Sequence, residues 1–169
     1  KLFNQPLNLW NVSNVTTMES MFGGAARSSG ESMAFNQPLN SWDVSSVINM
    51  AGMFHHNGGN HSFNQPLNLW NVSNVTNMDY MFYGNPNFDQ DISSWNISNV
   101  TTMKHMFGNG AQLSIANYDA LLIGWGAQTV QSGVTFDAPL CKYTPGGAAE
   151  AGRNSLIAQG WTINDGGPV

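Results

Sequence analysis

The chain has 169 residues, of which only 9 % are charged, and ten acidic against five basic side chains leave it at −5. So little positive charge provides no basic patch for nucleic acid or an acidic membrane surface. The longest apolar run, Ala120-Leu121-Leu122-Ile123, falls far short of the roughly 20 residues of a membrane-spanning helix.

The chain opens at Lys1-Leu2-Phe3, directly on a repeated unit. A first unit of this kind normally carries a cap, so the opening reads as the cut edge of a longer protein whose amino-terminal side was covered. An unpaired edge there would recruit strands and favour self-association. Residues 3–22 read FNQPLNLWNVSNVTTMESMF, and close copies start at Phe35, Phe63 and Phe88. Such self-similarity at about thirty residues predicts a solenoid.

The copies align in apolar columns. Phe3, Phe35, Phe63 and Phe88 come first, then Leu7, Leu39, Leu67 and Ile92, then Trp10, Trp42, Trp70 and Trp95. Two β-branched columns follow, led by Val12 and Val15, and the unit ends on Met18, Met21 and Phe22 and their counterparts. All are expected inside. Trp10 and Val12 alternate with Asn11, which is strand periodicity. Met18, Met21 and Phe22 stand at i, i+3 and i+4, one face of a helix. Thr16 and Glu19 match a capping box for it, and Thr76 with Asp79 a shorter-armed version, whereas Ile48 and Ala51 break the pattern. Each unit therefore reads as a strand, a bend, a short helix and a return loop. The longest return loops, 23–34 and 55–62, are expected to project and to tune specificity.

After Phe107 the repeat decays. Ile115, Tyr118, Leu121, Leu122 and Trp125 outline a helix capped by Ser114. Residues 133–136 read as a strand, 148–159 as a second helix stopped by Gly160, and 161–163 as a last strand. The predicted division is thus four repeats over 1–110 and helix–strand–helix–strand capping units over 111–169. The expected fold class is an α/β solenoid, a leucine-rich-repeat-like coil stack with a parallel β-sheet on one face, short helices or turns on the other, and a cap at the carboxy terminus.

The pattern W-[ND]-[VI]-S-x-V-x-x-M-x-x-M-F, preceded by F-[ND]-Q-x-[LI], resembles the roughly 26-residue repeat of BspA-like bacterial surface proteins, a branch of the leucine-rich repeats. The tail, with Asn117-Tyr118-Asp119-Ala120-Leu121-Leu122 and Gly160-Trp161-Thr162-Ile163-Asn164-Asp165-Gly166-Gly167, is similar to the closing segment that follows such repeats in secreted proteins. The resemblance implies an extracellular or cell-surface bacterial adhesion protein with no catalytic residues to carry over. Its implied partners are a host or neighbouring-cell protein, a peptide or a glycan.

If Trp10 and Val12 point inward, the residues beside them point out. The expected ligand surface is therefore Leu9, Asn11 and Ser13 with Ser41, Asp43 and Ser45, Leu69, Asn71 and Ser73, and Ser94, Asn96 and Ser98. It is a nearly uncharged hydrogen-bonding face with spaced apolar spots. The alternative role is a structural spacer or assembly unit of a surface fibre, and a hydrolase seated in 111–169 is a third reading. His55, His56 and His61 lie in one loop and could ligate zinc or copper, but without a Cys or carboxylate the spacing carries no metal signature, and no metal or other cofactor is expected. The sequons at Asn14, Asn74 and Asn99 fall at the bend, where the side chain is expected to bond backbone instead of carrying glycan. Cys141 next to Lys142 could carry a lowered pKa, yet no His–acid pattern accompanies it. The chain has no H-E-x-x-H, no G-x-S-x-G and no phosphate loop, so no enzyme is expected.

Overall fold

The computed structural model describes residues 3–24, 32–58 and 60–169. It overturns the expected leucine-rich-repeat-like solenoid. Among the described residues the repeat region contains no helix and no strand, only turns and isolated bridges. Regular structure is confined to the carboxy-terminal part, as α1 (Ile115–Gly126), β1 (Thr135–Ala138), α2 (Ala148–Ala158) and β2 (Thr162–Asp165). The sheet has two strands, β1 and β2, paired in parallel with Phe136 opposite Ile163.

The expected short helices fail because one residue in every copy is left-handed. Ser20, Tyr80 and His105 have φ of 53°, 57° and 57°, and Gly52 has 60°. A right-handed helix cannot pass through such a residue. Instead the N–H of Met21 donates to the Met18 carbonyl and that of Gly23 to Ser20, two successive tight turns. Between them, alternate N–H groups of Met18, Ser20, Phe22 and Gly24 donate to the Asn49, Ala51, Met53 and His55 carbonyls of the next copy. Single parallel bridges mark the same contact, from Thr17 to Asn49, Asn49 to Asn77 and Asn77 to Thr102. A double turn brings the two Met and the Phe to one side just as a helix would, which is why the spacing misleads.

The expected strand at Trp10–Val12 fails for a related reason. The N–H of Trp10 donates to Leu7 and that of Val15 to Val12, so the backbone is spent on local turns. Side chains make the ties between copies here. The indole Nε1 of Trp42, Trp70, Trp95 and Trp125 donates to the carbonyls of Leu7, Leu39, Leu67 and Ile92 at 2.9–3.2 Å. Asn4 Oδ1 accepts from the Asn36 N–H and the Gln37 amide, Asn36 from Asn64 and Gln65, and Asn64 from Asp89 and Gln90. The Phe-Asn-Gln opening of the first three copies is therefore a register key: the Asn reads the next copy's backbone, and in the second and third copies the Phe beside it is buried.

Aromatic rings fill the interior. Phe35, Phe63 and Phe88 lie nearly parallel at 6.2–6.3 Å. Phe22, Phe54 and Phe82 insert against them at 3.9–4.0 Å. Three members of the expected interior are not inside: Phe3 is 54 % and Trp10 55 % exposed, and Met21 sits at the surface too. In later copies the ring is covered by the copy before it, and nothing among the described residues covers Trp10.

The two carboxy-terminal helices lie where the sequence puts them, and the two strands start two and one residues later than expected. Ser114 Oγ accepts from the Asn117 N–H at the start of α1, and Tyr118, Leu121, Leu122 and Trp125 are buried, while Ile115 is exposed. Asp89 Oδ1 takes three donors, the Ser114 N–H, the Ser114 hydroxyl and the Asn117 amide, at 2.8–2.9 Å. The fourth copy carries Asp where the others carry Asn, and a carboxylate suits three donors. On the far side, the Phe107 N–H donates to the Asp137 carbonyl in β1. Helices α1 and α2 approach at Gly126 and Gly152, where a Cβ on Gly152 would run into the Leu122 carbonyl.

Candidate functional site

The turn that replaces the expected strand still turns its flank outward. Leu9 and Leu69 are 91 % and 71 % exposed, and Asn11, Ser41, Asp43, Asn71, Ser94 and Asn96 are exposed as well. Ser13, Ser45, Ser73 and Ser98 are half-buried. Consecutive copies are tied side by side along this row. The Ser46 hydroxyl donates to the Ser13 carbonyl, Asn74 to Ser45, Asn99 to Ser73 and Gln131 to Ser98, at 2.6–3.0 Å. The sequon side chains of Asn74 and Asn99 thus bond backbone, though that of the preceding copy and not of their own bend.

Within the row the Asn/Asp column has a structural duty. The Oδ1 atoms of Asn11, Asp43, Asn71 and Asn96 accept from the N–H of Ser13, Ser45, Ser73 and Ser98 at 3.1–3.2 Å. The Ser45 hydroxyl, then its N–H, hold the Asp43 carboxyl below its ordinary pKa. These residues close their own turns, and the positions free to meet a ligand are the outermost ones. At the carboxy end the row widens into a groove of about 480 Å³ lined by Ser94, Asn96, Ser98, Gln128 and Thr129. Gln128 is fixed there, its Oε1 accepting from the Ile97 N–H and its amide donating to the Trp95 carbonyl.

A second concavity was not anticipated. It measures about 240 Å³, is lined more by apolar than polar surface, and lies at the left-handed turns of the first three copies, with Glu19, Gly52, His55, Asp79 and Tyr80 around it. The alignment held its signal: Ala51-Gly52 is the smallest pair at positions that elsewhere read Glu19-Ser20, Asp79-Tyr80 and Lys104-His105.

The histidine loop does not gather its imidazoles into one cluster. His56 and His61 are buried, and no group of metal-ligating side chains is formed among the described residues. His61 Nδ1 accepts from the Phe63 N–H, so Nε2 carries the proton and donates to the Phe22 carbonyl at 2.9 Å. Burial, with His56 and His55 nearby, brings its pKa down to about 4. The loop does not project as expected either: the His56 N–H donates to the Tyr83 carbonyl and the His61 N–H to Gly84. Of the other loop, residues 25–31 lie outside the described residues, as do Lys1 and Leu2, on which the self-association reading fell.

Cys141 is buried, and its sulfur accepts from the Leu113 N–H. Burial pushes the thiol up to about 11, the opposite of an activated nucleophile. Near it, Arg153 grips Asp165 through Nε at 2.7 Å and Nη2 at 3.1 Å, and the Tyr118 hydroxyl donates to the same carboxylate. This network ties α1, α2 and β2 together. Burial first, and Asp165 second, raise the Tyr118 pKa well above its ordinary value, so the phenol stays protonated and remains a donor.

Residues 1–58 and 28–132 match the family described as "Mycoplasma protein of unknown function, DUF285". Comparison with curated proteins and with solved structures returned no match. No helix is long and apolar enough to cross a membrane among the described residues.

Proposed function

The chain belongs to the DUF285 family, whose description assigns no activity, and from that premise we propose that it is a non-catalytic recognition module of an extracellular or surface-attached bacterial protein. It binds a protein, peptide or glycan along the row from Leu9 to Ser98. The observation that carries this reading is the row itself: outward side chains recur at one position of each copy and lead into the groove at Ser94, Asn96 and Ser98. Hydroxyl and amide groups there donate and accept without a fixed charge, and Leu9 and Leu69 add apolar contact. The likeness of the repeat to BspA-like surface repeats supports the placement outside the cell.

Glycan and peptide arrays probed with the whole chain test the proposal, followed by Ser41→Arg with Leu69→Arg. Among the described residues these two positions carry no side-chain hydrogen bond, unlike the Asn column, so the fold is expected to survive the change. Loss of array binding with an unchanged melting temperature is expected. Full retention of binding in the double variant would remove the row from consideration.

A further inference from the structure

The notch between Glu19 and Asp79 shares no residue with the row and raises its own question. It exists because the second copy carries Ala51-Gly52 where its neighbours carry larger side chains. We propose that it is a binding subsite for a primary ammonium on an aliphatic stem, the chemistry of a lysine side chain on a partner protein.

Size comes first. At about 240 Å³ the notch is below the roughly 300–1,000 Å³ of small-molecule pockets, so it takes one side chain and not a whole cofactor. Charge comes next. Glu19 and Asp79 stand two copies apart, roughly 10 Å at the spacing of paired backbones. Each is anchored by one oxygen: Glu19 Oε2 accepts from the Asn49 amide at 2.9 Å, and Asp79 Oδ1 from the Thr102 hydroxyl and the Lys104 N–H. Among the described residues no hydrogen bond engages Glu19 Oε1 or Asp79 Oδ2. The ion pairs of those residues are His105–Asp137 and Arg153–Asp165, so neither carboxylate of the notch meets a cation there. The net charge of −5 also draws a positive partner.

The wall completes the site. Tyr80 is 41 % exposed and is held at φ 57°, a left-handed backbone state that a bulky side chain rarely adopts. Its ring meets His55 edge-on at 6.5 Å. An aromatic face attracts an ammonium and packs against a methylene stem. An apolar floor with a carboxylate at each end suits that amphipathic shape.

An amide NMR titration of the whole chain with Nα-acetyl-lysine-N-methylamide tests this reading, whatever the row binds. Gly52 and Tyr80 resonances are expected to shift saturably, and the uncharged norleucine analogue and methyl pyranosides are expected to leave them still. Gly52→Asn should abolish the response, since Asn tolerates the left-handed turn and fills the notch. Glu19→Gln and Asp79→Asn keep the anchoring bonds and should each weaken binding roughly 1.5- to 5-fold, as exposed ion pairs do. Binding should also fall as salt rises. Absence of any shift, equal binding of norleucine, tighter binding of a pyranoside, or indifference to both carboxylate changes would each overturn the proposal.

Discussion

Replacing one tryptophan at a time by phenylalanine asks whether the indole ties hold neighbouring copies together. Trp95 is the informative site. Its Nε1 donates to the Leu67 carbonyl at 3.0 Å in the interior. Phenylalanine removes that bond, a net loss of about 1 kcal/mol. The Leu67 carbonyl keeps the bond from the Trp70 N–H, so no acceptor is orphaned. Two ring carbons vanish with the nitrogen, and at about 0.8 kcal/mol per buried carbon, with a cavity that collapses only in part, they add about 2 kcal/mol. The sum is about 3 kcal/mol. The same change at Trp10, which is 55 % exposed and reaches no neighbouring carbonyl among the described residues, should cost less than about 0.5 kcal/mol. With a urea slope of about 2 kcal/mol/M, the unfolding midpoint falls by about 1.5 M for Trp95→Phe and about 0.2 M for Trp10→Phe. Equal shifts at the two positions would refute the idea that the ties, and not the intrinsic properties of each unit, carry stability.

Three more outcomes can be measured. Burial lowers His61 to about 4, against about 6.5 in an unfolded chain, so as pH falls the unfolded state takes the proton first. Its stability contribution is full above about pH 6.5 and declines toward pH 4, by at most about 3 kcal/mol. Urea midpoints should therefore fall more steeply over that window in the native chain than in His61→Gln, and parallel profiles would contradict the assignment. Cys141, buried with its pKa at about 11, should resist iodoacetamide at pH 8 and react only in denaturant; rapid labelling of the folded chain would show the thiol to be accessible. Gly152→Ala places a methyl group against the Leu122 carbonyl and should cost about 3 kcal/mol by forcing α2 from α1, and an unchanged melting temperature would show that the helices can part cheaply.

What the sequence allowed to be read follows from what each pattern encodes. Burial was legible, because Trp42, Trp70, Trp95 and the phenylalanine columns recur at fixed spacing and have nowhere else to go. The helices over 115–126 and 148–158 were legible because apolar period and cap agree locally. Secondary structure within the repeat was not. Met18, Met21 and Phe22 at helical spacing are equally well served by two tight turns, and the left-handed residue that decides between them is Gly only in the second copy. Trp10-Asn11-Val12 alternates as a strand does, but alternation reports facing and not pairing, and the backbone of Trp10 is committed to Leu7. The notch escaped because attention to shared columns hides the copy that departs from them. The histidine loop misled in the opposite sense: His56 and His61 are polar by type yet belong to the interior.

The division of labour inside each unit explains how outer side chains can vary without unfolding the molecule. Register between copies rests on Asn36, Asn64 and the tryptophans, whose partners are backbone groups that every copy supplies. Such ties do not depend on what the neighbouring positions carry. Residues at the outer turn can therefore change from Leu9 to Ser41, and those at the left-handed turn from Glu19-Ser20 to Ala51-Gly52, with little consequence for the interior. Stability sets a limit only at the left-handed residue itself, where Ser20, Tyr80 and His105 are strained and Gly52 is not. If strain is tolerated there for binding, then Tyr80→Gly should raise the melting temperature while removing the aromatic wall of the notch. A variant that loses stability instead would mean that the ring is held for packing against Tyr83 and His105, its neighbours at 5.4 and 4.9 Å.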